Sequence, residues 1–167
     1  VDHLEERGEL DRTIVIYHSD HGAYSTWFGL PEKAPGICSE RVCRVPFVWR
    51  VPGAAAGRVS GQLVENIDVG PTIASLCGLP AMDWTDGRDL SHLIHGDDAP
   101  VREVAVTENA WSRSIRFGPW RYVHYPHAMF EGQDVGELYH IERDPMERKN
   151  LYHDPAHQDT VHEARGR

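Results

Sequence analysis

No run of apolar residues in this sequence approaches the ~20 needed to cross a bilayer, so no membrane span is expected. Cysteine is scarce: Cys38, Cys43 and Cys77 are the only three. An odd number cannot all pair within one chain, none sits in a C-x-x-C pair, and zinc-ribbon spacing is missing. A disulfide-rich scaffold is thereby excluded, and one bridge is the most the chain could hold. Positive charge is in the minority. The 17 Lys and Arg against 26 Asp and Glu leave a net charge of −9, which argues against a nucleic-acid binder, whose basic surface must displace counterions. The first residues, Val1, Asp2, His3, Leu4, Glu5 and Glu6, include no initiator Met, no basic stretch and no apolar signal segment. They read as the interior of a longer chain, which leaves the compartment unassigned. Internal repeats and low-complexity tracts are missing too.

What remains is an ordinary globular composition, 167 residues with 40% hydrophobic and 26% charged. The length suits one domain with a sizeable core. Residues 1–11 carry Val1, Leu4 and Leu10 near helical spacing and predict the end of an amphipathic helix. Residues 13–17, Thr-Ile-Val-Ile-Tyr, are a continuous apolar strand of the kind buried on both faces of a parallel sheet. Residues 22–43 have no periodicity and are punctuated by Gly22, Gly29, Pro31, Pro35 and Gly36. Structureless loops of that length are usually functional or disordered, and because it follows polar strand-end residues this one reads as a site loop. A second strand is expected over 45–49, ended by Pro52 and Gly53. Residues 68–78 predict a helix with Asp68 at its cap, Pro71 in its first turn, Gly78 at its C-terminal left-handed position, and Ile73, Leu76 and Cys77 on one face. A shorter helix of similar design is expected over 89–96. Beyond a composition shift at 96–102 the pattern becomes β: a strand over 103–107, a hairpin of 112–117 with 120–125 about Gly118 and Pro119, a strand over 137–141, and a terminal helix within 154–165. Residues 1–100 and 101–167 are thus expected to be separate portions.

The chemistry concentrates at Asp20 and His21, which directly follow the first strand. Open α/β sheets place ligands at strand carboxyl ends, and a carboxylate beside an imidazole offers two lone-pair donors to a divalent cation. From chemistry alone the imidazole favours a transition metal over calcium. The competing account is a plain turn, with Asp20 in an Asx-turn and His21 exposed. Two ligands do not close a site, so further ones must come from elsewhere. Lys33, in the candidate loop, could hold an anionic oxygen as a point charge or be a solvated surface lysine. Glu40, Arg41 and Arg44 fit ion pairs that fix the loop to a sheet. His92 and His95 share a helix face, and Trp120, Tyr122, His124 and Tyr125 alternate as the two faces of one strand do.

The order of motifs resembles the sulfatases. Residues 13–22 resemble that family's strand and SDHG metal turn, and Lys33 follows at the spacing of its sulfate-contacting lysine. Residues 40–46 resemble the YEE..RVP stretch, 51–53 the GPG turn, 66–73 DIAPTIL and 86–90 DG.SL. Residues 114–122 resemble AIR.G.WKYI, and 137–151 resemble ELYDLE.DP.E..NL. The likeness runs from about residue 10 to residue 155. It implies the C-terminal part of an alkaline phosphatase-like α/β fold, a sheet sandwiched by helices with a small antiparallel β-rich subdomain. It also implies sulfate-ester hydrolysis with a formylglycine nucleophile, and a divalent metal, calcium with manganese as the alternative. Asp20 and His21 match metal ligands and Lys33 the sulfate contact; the partners implied are a small sulfate ester and the N-terminal part of the same enzyme. The formylglycine precursor, Cys or Ser followed by x-P-x-R, is not found: after Cys43, Pro46 comes one place too late. Phe28 stands where the family carries a histidine. A phosphonate monoester or phosphodiester hydrolase of the same superfamily, or a non-catalytic fragment, are the alternatives.

Overall fold

The computed structural model of the chain describes residues 1–26, 29–30, 32–33, 37–109 and 111–167. The loop positions Phe28, Pro31, Pro35 and Gly36 lie outside the described residues. The chain forms two compact units, Val1–Asp20 with Pro46–Arg102, and His21–Val45 with Glu103–Arg167. The fold is mixed α/β with antiparallel sheets, and no helix of the described residues is long and apolar enough to cross a membrane.

In the first unit, α1 (Asp2–Glu6) and a 3-10 turn (Leu10–Arg12) lead into β1 (Val15–His18). This strand pairs with β2 (Phe47–Arg50), in antiparallel register from Val15–Arg50 to His18–Phe47. The pairing differs from the expected parallel, doubly covered strand. A five-residue apolar run has no period of its own, so it reads alike in a buried sheet and in one arm of a ladder. Tyr17 and Val48 face each other in the register and are 68% and 58% exposed.

Further along, the 3-10 turn Asn66–Asp68 continues into α3 (Val69–Leu76), and Gly78 closes the helix at φ +66°. Asp68 does not serve as the lone cap. Its carboxylate occupies the third position of a capping box and accepts the Glu65 N–H at 2.7 Å. The buried face is Pro71, Thr72 and Ala74 rather than Ile73, Leu76 and Cys77. The reason is polar. Asp68 is fully buried and receives both terminal nitrogens of Arg102 at 2.6 Å and the Arg88 N–H at 2.8 Å. One turn later Thr72 accepts the Leu90 N–H at 3.0 Å. Positions i and i+4 share a helix face, so holding Asp68 and Thr72 inward rotates the apolar stripe. The next helix, α4 (Ser91–His95), starts where Asp89 accepts the Ser91 N–H at 2.8 Å, and ends at Gly96, φ +106°.

In the second unit, β3 (Val104–Glu108), β4 (Arg113–Phe117), β5 (Trp120–His124) and β6 (Gly136–His140) form an antiparallel sheet in that order. The β4–β5 hairpin turns at Gly118, φ +45°, as its Gly-Pro pair implies. Strand neighbours point to opposite faces. One face brings Phe117, Tyr122 and Leu138 against Leu151, Tyr152 and the inner side of α5 (Gln158–Gly166), Val161 and Ala164. The other carries Arg121 and is covered by α2 (Glu40–Cys43). Arg121, buried, ion-pairs with Glu40, lies 3.1 Å from Glu147 and donates to the Cys38 carbonyl at 2.9 Å. Glu40 therefore does anchor the loop, on a partner that spacing alone could not identify.

One guanidinium here faces two carboxylates. Burial pushes the Glu147 carboxyl up from 4.5 to about 7, with Arg121 pulling down and Glu40 adding to the rise. A carboxyl with a raised folded-state pKa holds its proton better when folded, so its contribution to stability falls as pH rises from about 4.5 to about 7. Glu147→Gln is expected to remove this fall. Urea midpoints of wild type and variant at pH 5 and pH 8 would show it, and parallel pH dependences would refute it.

Candidate functional site

Past the last ladder pair of β1 the chain turns through Ser19, Asp20, His21 and Gly22, leaving the first unit after Asp20 and entering the second at His21. On the first side, the Ser19 hydroxyl lies 3.4 Å from an Asp20 carboxylate oxygen. The Asn66 side-chain amide donates to the carbonyls of Ser19 at 2.8 Å and Asp20 at 3.2 Å.

On the second side the turn is pressed onto α2. The Gly22 N–H donates to the Val42 carbonyl at 2.8 Å, and a Cβ at Gly22 would lie 2.0 Å from the Arg41 carbonyl oxygen. Backbone cannot yield as a side-chain tip can. Gly22→Ala is therefore expected to separate the turn from α2 and lower the melting temperature by several degrees, and a thermal melt within 1 °C of wild type would count against it. The His21 ring is half-buried, and its Nδ1 lies 2.9 Å from the Gly22 carbonyl. A carbonyl only accepts, so Nδ1 carries the hydrogen and Nε2 presents its lone pair outward, the tautomer of a metal-ligating imidazole. The Lys33 Nζ donates to that Nε2 at 3.0 Å.

Two of the three sequence-derived site residues thus meet at one point, though twelve positions apart. By chemical type, the carboxylate of Asp20 and the imidazole of His21, its Nδ1 committed to the Gly22 carbonyl, are each donors that a divalent cation takes. Among the described residues no three His, Cys, Asp or Glu side chains converge. His92 is taken up at 3.3 Å with the Ala99 carbonyl. The three cysteines are free thiols. Cys38 is sealed from solvent, and hydrogen bonding from Cys43 holds its thiol below the ordinary value against the effect of burial, Ser112, Arg121 and Asn109 contributing. A cavity of about 320 Å³ lies nearby, lined by Asn109, Trp111, Ser112, Arg113, His124 and Pro126. Its polar wall is largely committed: Asn109 donates to Cys38 and Ser112, and Arg113 pairs with Glu108 at 2.7 Å.

Residues 36–167 match the family described as N-sulphoglucosamine sulphohydrolase, C-terminal. The chain belongs to the sulfatases. This sulfatase chain is 32% identical over 162 residues to choline-sulfatase of Rhizobium meliloti, covering 93% of its own length and 30% of that protein. A solved protein bound to its substrate D-glucosamine-2-N,6-O-disulfate superposes with a TM-score of 0.85 at 25% identity, over 99% of this chain and 35% of the other. The phosphonate monoester hydrolase of Silicibacter pomeroyi shares the fold, with a TM-score of 0.79 at 22% identity over 99% of this chain and 36% of that one. The sulfatase chain therefore spans about a third of each of these three proteins. Sequence reasoning missed Asn66, Arg102, Arg121 and Glu147. Each acts on a partner distant in sequence, and no local spacing marks it.

Proposed function

We propose that this chain is the C-terminal part of an enzyme that hydrolyses small sulfate esters, with Asp20 and His21 as two ligands of a divalent cation and Lys33 as the sulfate contact. The observation that carries the reading is the 3.0 Å approach of the Lys33 ammonium to His21 Nε2. In this structure the Nε2 lone pair accepts from Lys33; a cation taken up at Nε2 would replace that hydrogen bond and leave the ammonium beside it, so that an oxyanion would lie between two positive charges. Lys33 is exposed, so its charge is available to an incoming anion. As a compact point charge it would stabilise the negative sulfuryl oxygens as the nucleophile adds to sulfur and the breaking S–O bond hands its electron pair to the leaving oxygen. Asp20 holds a cation through its carboxylate, while the Gly22 carbonyl keeps the His21 ring in the ligating tautomer. The cation, calcium by the family resemblance and manganese by the chemistry of imidazole, supplies Lewis-acid polarisation when bound. The nucleophile, a formylglycine hydrate by the same resemblance, belongs to a part of the enzyme outside this chain.

Initial rates on an aryl sulfate and an aryl phosphonate monoester test this, measured in parallel on the full-length enzyme with and without a chelator. Faster sulfate turnover that the chelator abolishes is expected. Faster phosphonate turnover would move the assignment to phosphonate ester hydrolysis, and chelator-insensitive turnover would remove Asp20 and His21 from the metal.

A further inference from the structure

Asn66 is the first residue of the 3-10 turn Asn66–Asp68, and its side chain does not serve that turn. The Nδ2 amine donates instead across 47 and 46 positions to the successive carbonyls of Ser19 and Asp20, at 2.8 and 3.2 Å. An amide nitrogen has two hydrogens, so one side chain can engage both carbonyls at once. Those carbonyls belong to the two peptide units that meet at the Asp20 Cα, so gripping both limits φ and ψ of Asp20, the rotations that set the direction of its side chain.

The grip comes from a stiff support. Two residues after Asn66, the carboxylate of Asp68 is fully buried and holds Arg102 and the N–H groups of Glu65 and Arg88. Between them, the Ile67 carbonyl is packed so closely that a Cβ on Gly87 would lie 2.2 Å from it. A donor on a turn anchored in this way holds the Ser19 and Asp20 carbonyls in place.

We propose that Asn66 is a positioning residue that sets the aim of the Asp20 carboxylate. The inference rests on the reading of Asp20 as a metal ligand. Groups one step removed from a metal cost about 10–100-fold in affinity when removed, and that is the scale expected here.

The test compares Mn²⁺ affinity, read by titration calorimetry or electron paramagnetic resonance on the full-length enzyme, for wild type, Asn66→Ala, Asn66→Asp and Asn66→Gln. Asn66→Ala is expected to weaken Mn²⁺ binding at least tenfold with a melting temperature within about 2 °C of wild type. Asn66→Asp keeps the shape but has no hydrogen to donate and sets a carboxylate against two carbonyls, so its loss should equal or exceed that of alanine. Asn66→Gln retains both donors and should recover part of the affinity. In an Asp20→Ala background, Asn66→Ala should cause no further loss, because nothing is left to aim. An unchanged affinity in Asn66→Ala overturns the inference alone, as does an equal loss in the Asp20→Ala background. A wild-type enzyme that binds no Mn²⁺ overturns the ligand reading of Asp20, and this role with it.

Discussion

Replacing Asp68 with alanine is expected to destabilise the chain by about 3–5 kcal/mol, the range for removing one member of a buried ion pair. The loss is more than one salt bridge. Asp68 accepts four hydrogen bonds, two from Arg102 and one each from the Glu65 and Arg88 N–H groups. Its removal leaves a buried guanidinium with Glu65 as its remaining carboxylate, at 3.1 Å, and two N–H groups without their acceptor. Arg102→Met should be milder, since Asp68 would keep both backbone donors while a methionine fills the space. That ranking separates the hub account from a simple pair, for which the two variants would cost the same. Urea unfolding of this chain measures both, and equal midpoints would contradict the hub. The pH dependence follows from the same contacts. Burial opposes the charge on Asp68, but Arg102 and the two N–H donors outweigh it and hold the pKa below the usual carboxylate value of 3.8. A depressed pKa contributes stability that is full above 3.8 and is lost as pH falls through the lower folded value, so the wild-type advantage over Asp68→Ala should shrink only in strong acid.

Asp68 also shows where sequence reading stops. Its place at the start of a helix was legible from Pro71 and Gly78, as was the β4–β5 hairpin from Gly118 and Pro119, because turns and helix ends are governed by residues a few positions apart. Its burial was not legible, because the cause is Arg102, 34 residues on. The same holds in the second unit. Alternation places Arg121 on one face of β5, but nothing local indicates that Glu40, 81 residues earlier, would cover that face. The apolar run leading into β1 was legible as a strand and not as antiparallel, since direction belongs to the partner. Asp20, His21 and Lys33 stand out in the sequence as polar residues at a strand end and in a long loop, and the roles proposed for them come from the family resemblance. The Gly22 contact that fixes the His21 tautomer and the Asn66 grip on the Asp20 backbone are properties of geometry alone.

Lys33→Ala is expected to lower kcat of the full-length enzyme by about 10²–10³-fold, the loss seen when one preorganised charge or donor is removed from a developing oxyanion. Because Lys33 is exposed, the substitution should leave the melting temperature unchanged, which separates a lost charge from a lost fold. The split between kcat and KM carries the mechanistic content. A sulfate monoester carries negative charge before reaction, so the ammonium lowers KM somewhat by attracting it. In the transition state the entering nucleophile brings further negative charge to the sulfuryl group and the breaking S–O bond gives its electron pair to the leaving oxygen, so the larger share of the effect is expected on kcat. Lys33→Arg keeps the charge but spreads it over a planar fork that cannot present one compact charge to a single oxygen, so it should recover the KM term and little of the kcat term. If Lys33 instead served only to hold the His21 ring, alanine would weaken the cation site and added metal would restore the rate. Persistence of the kcat loss at saturating metal assigns the lysine to the anion itself, and restoration by metal would withdraw that assignment.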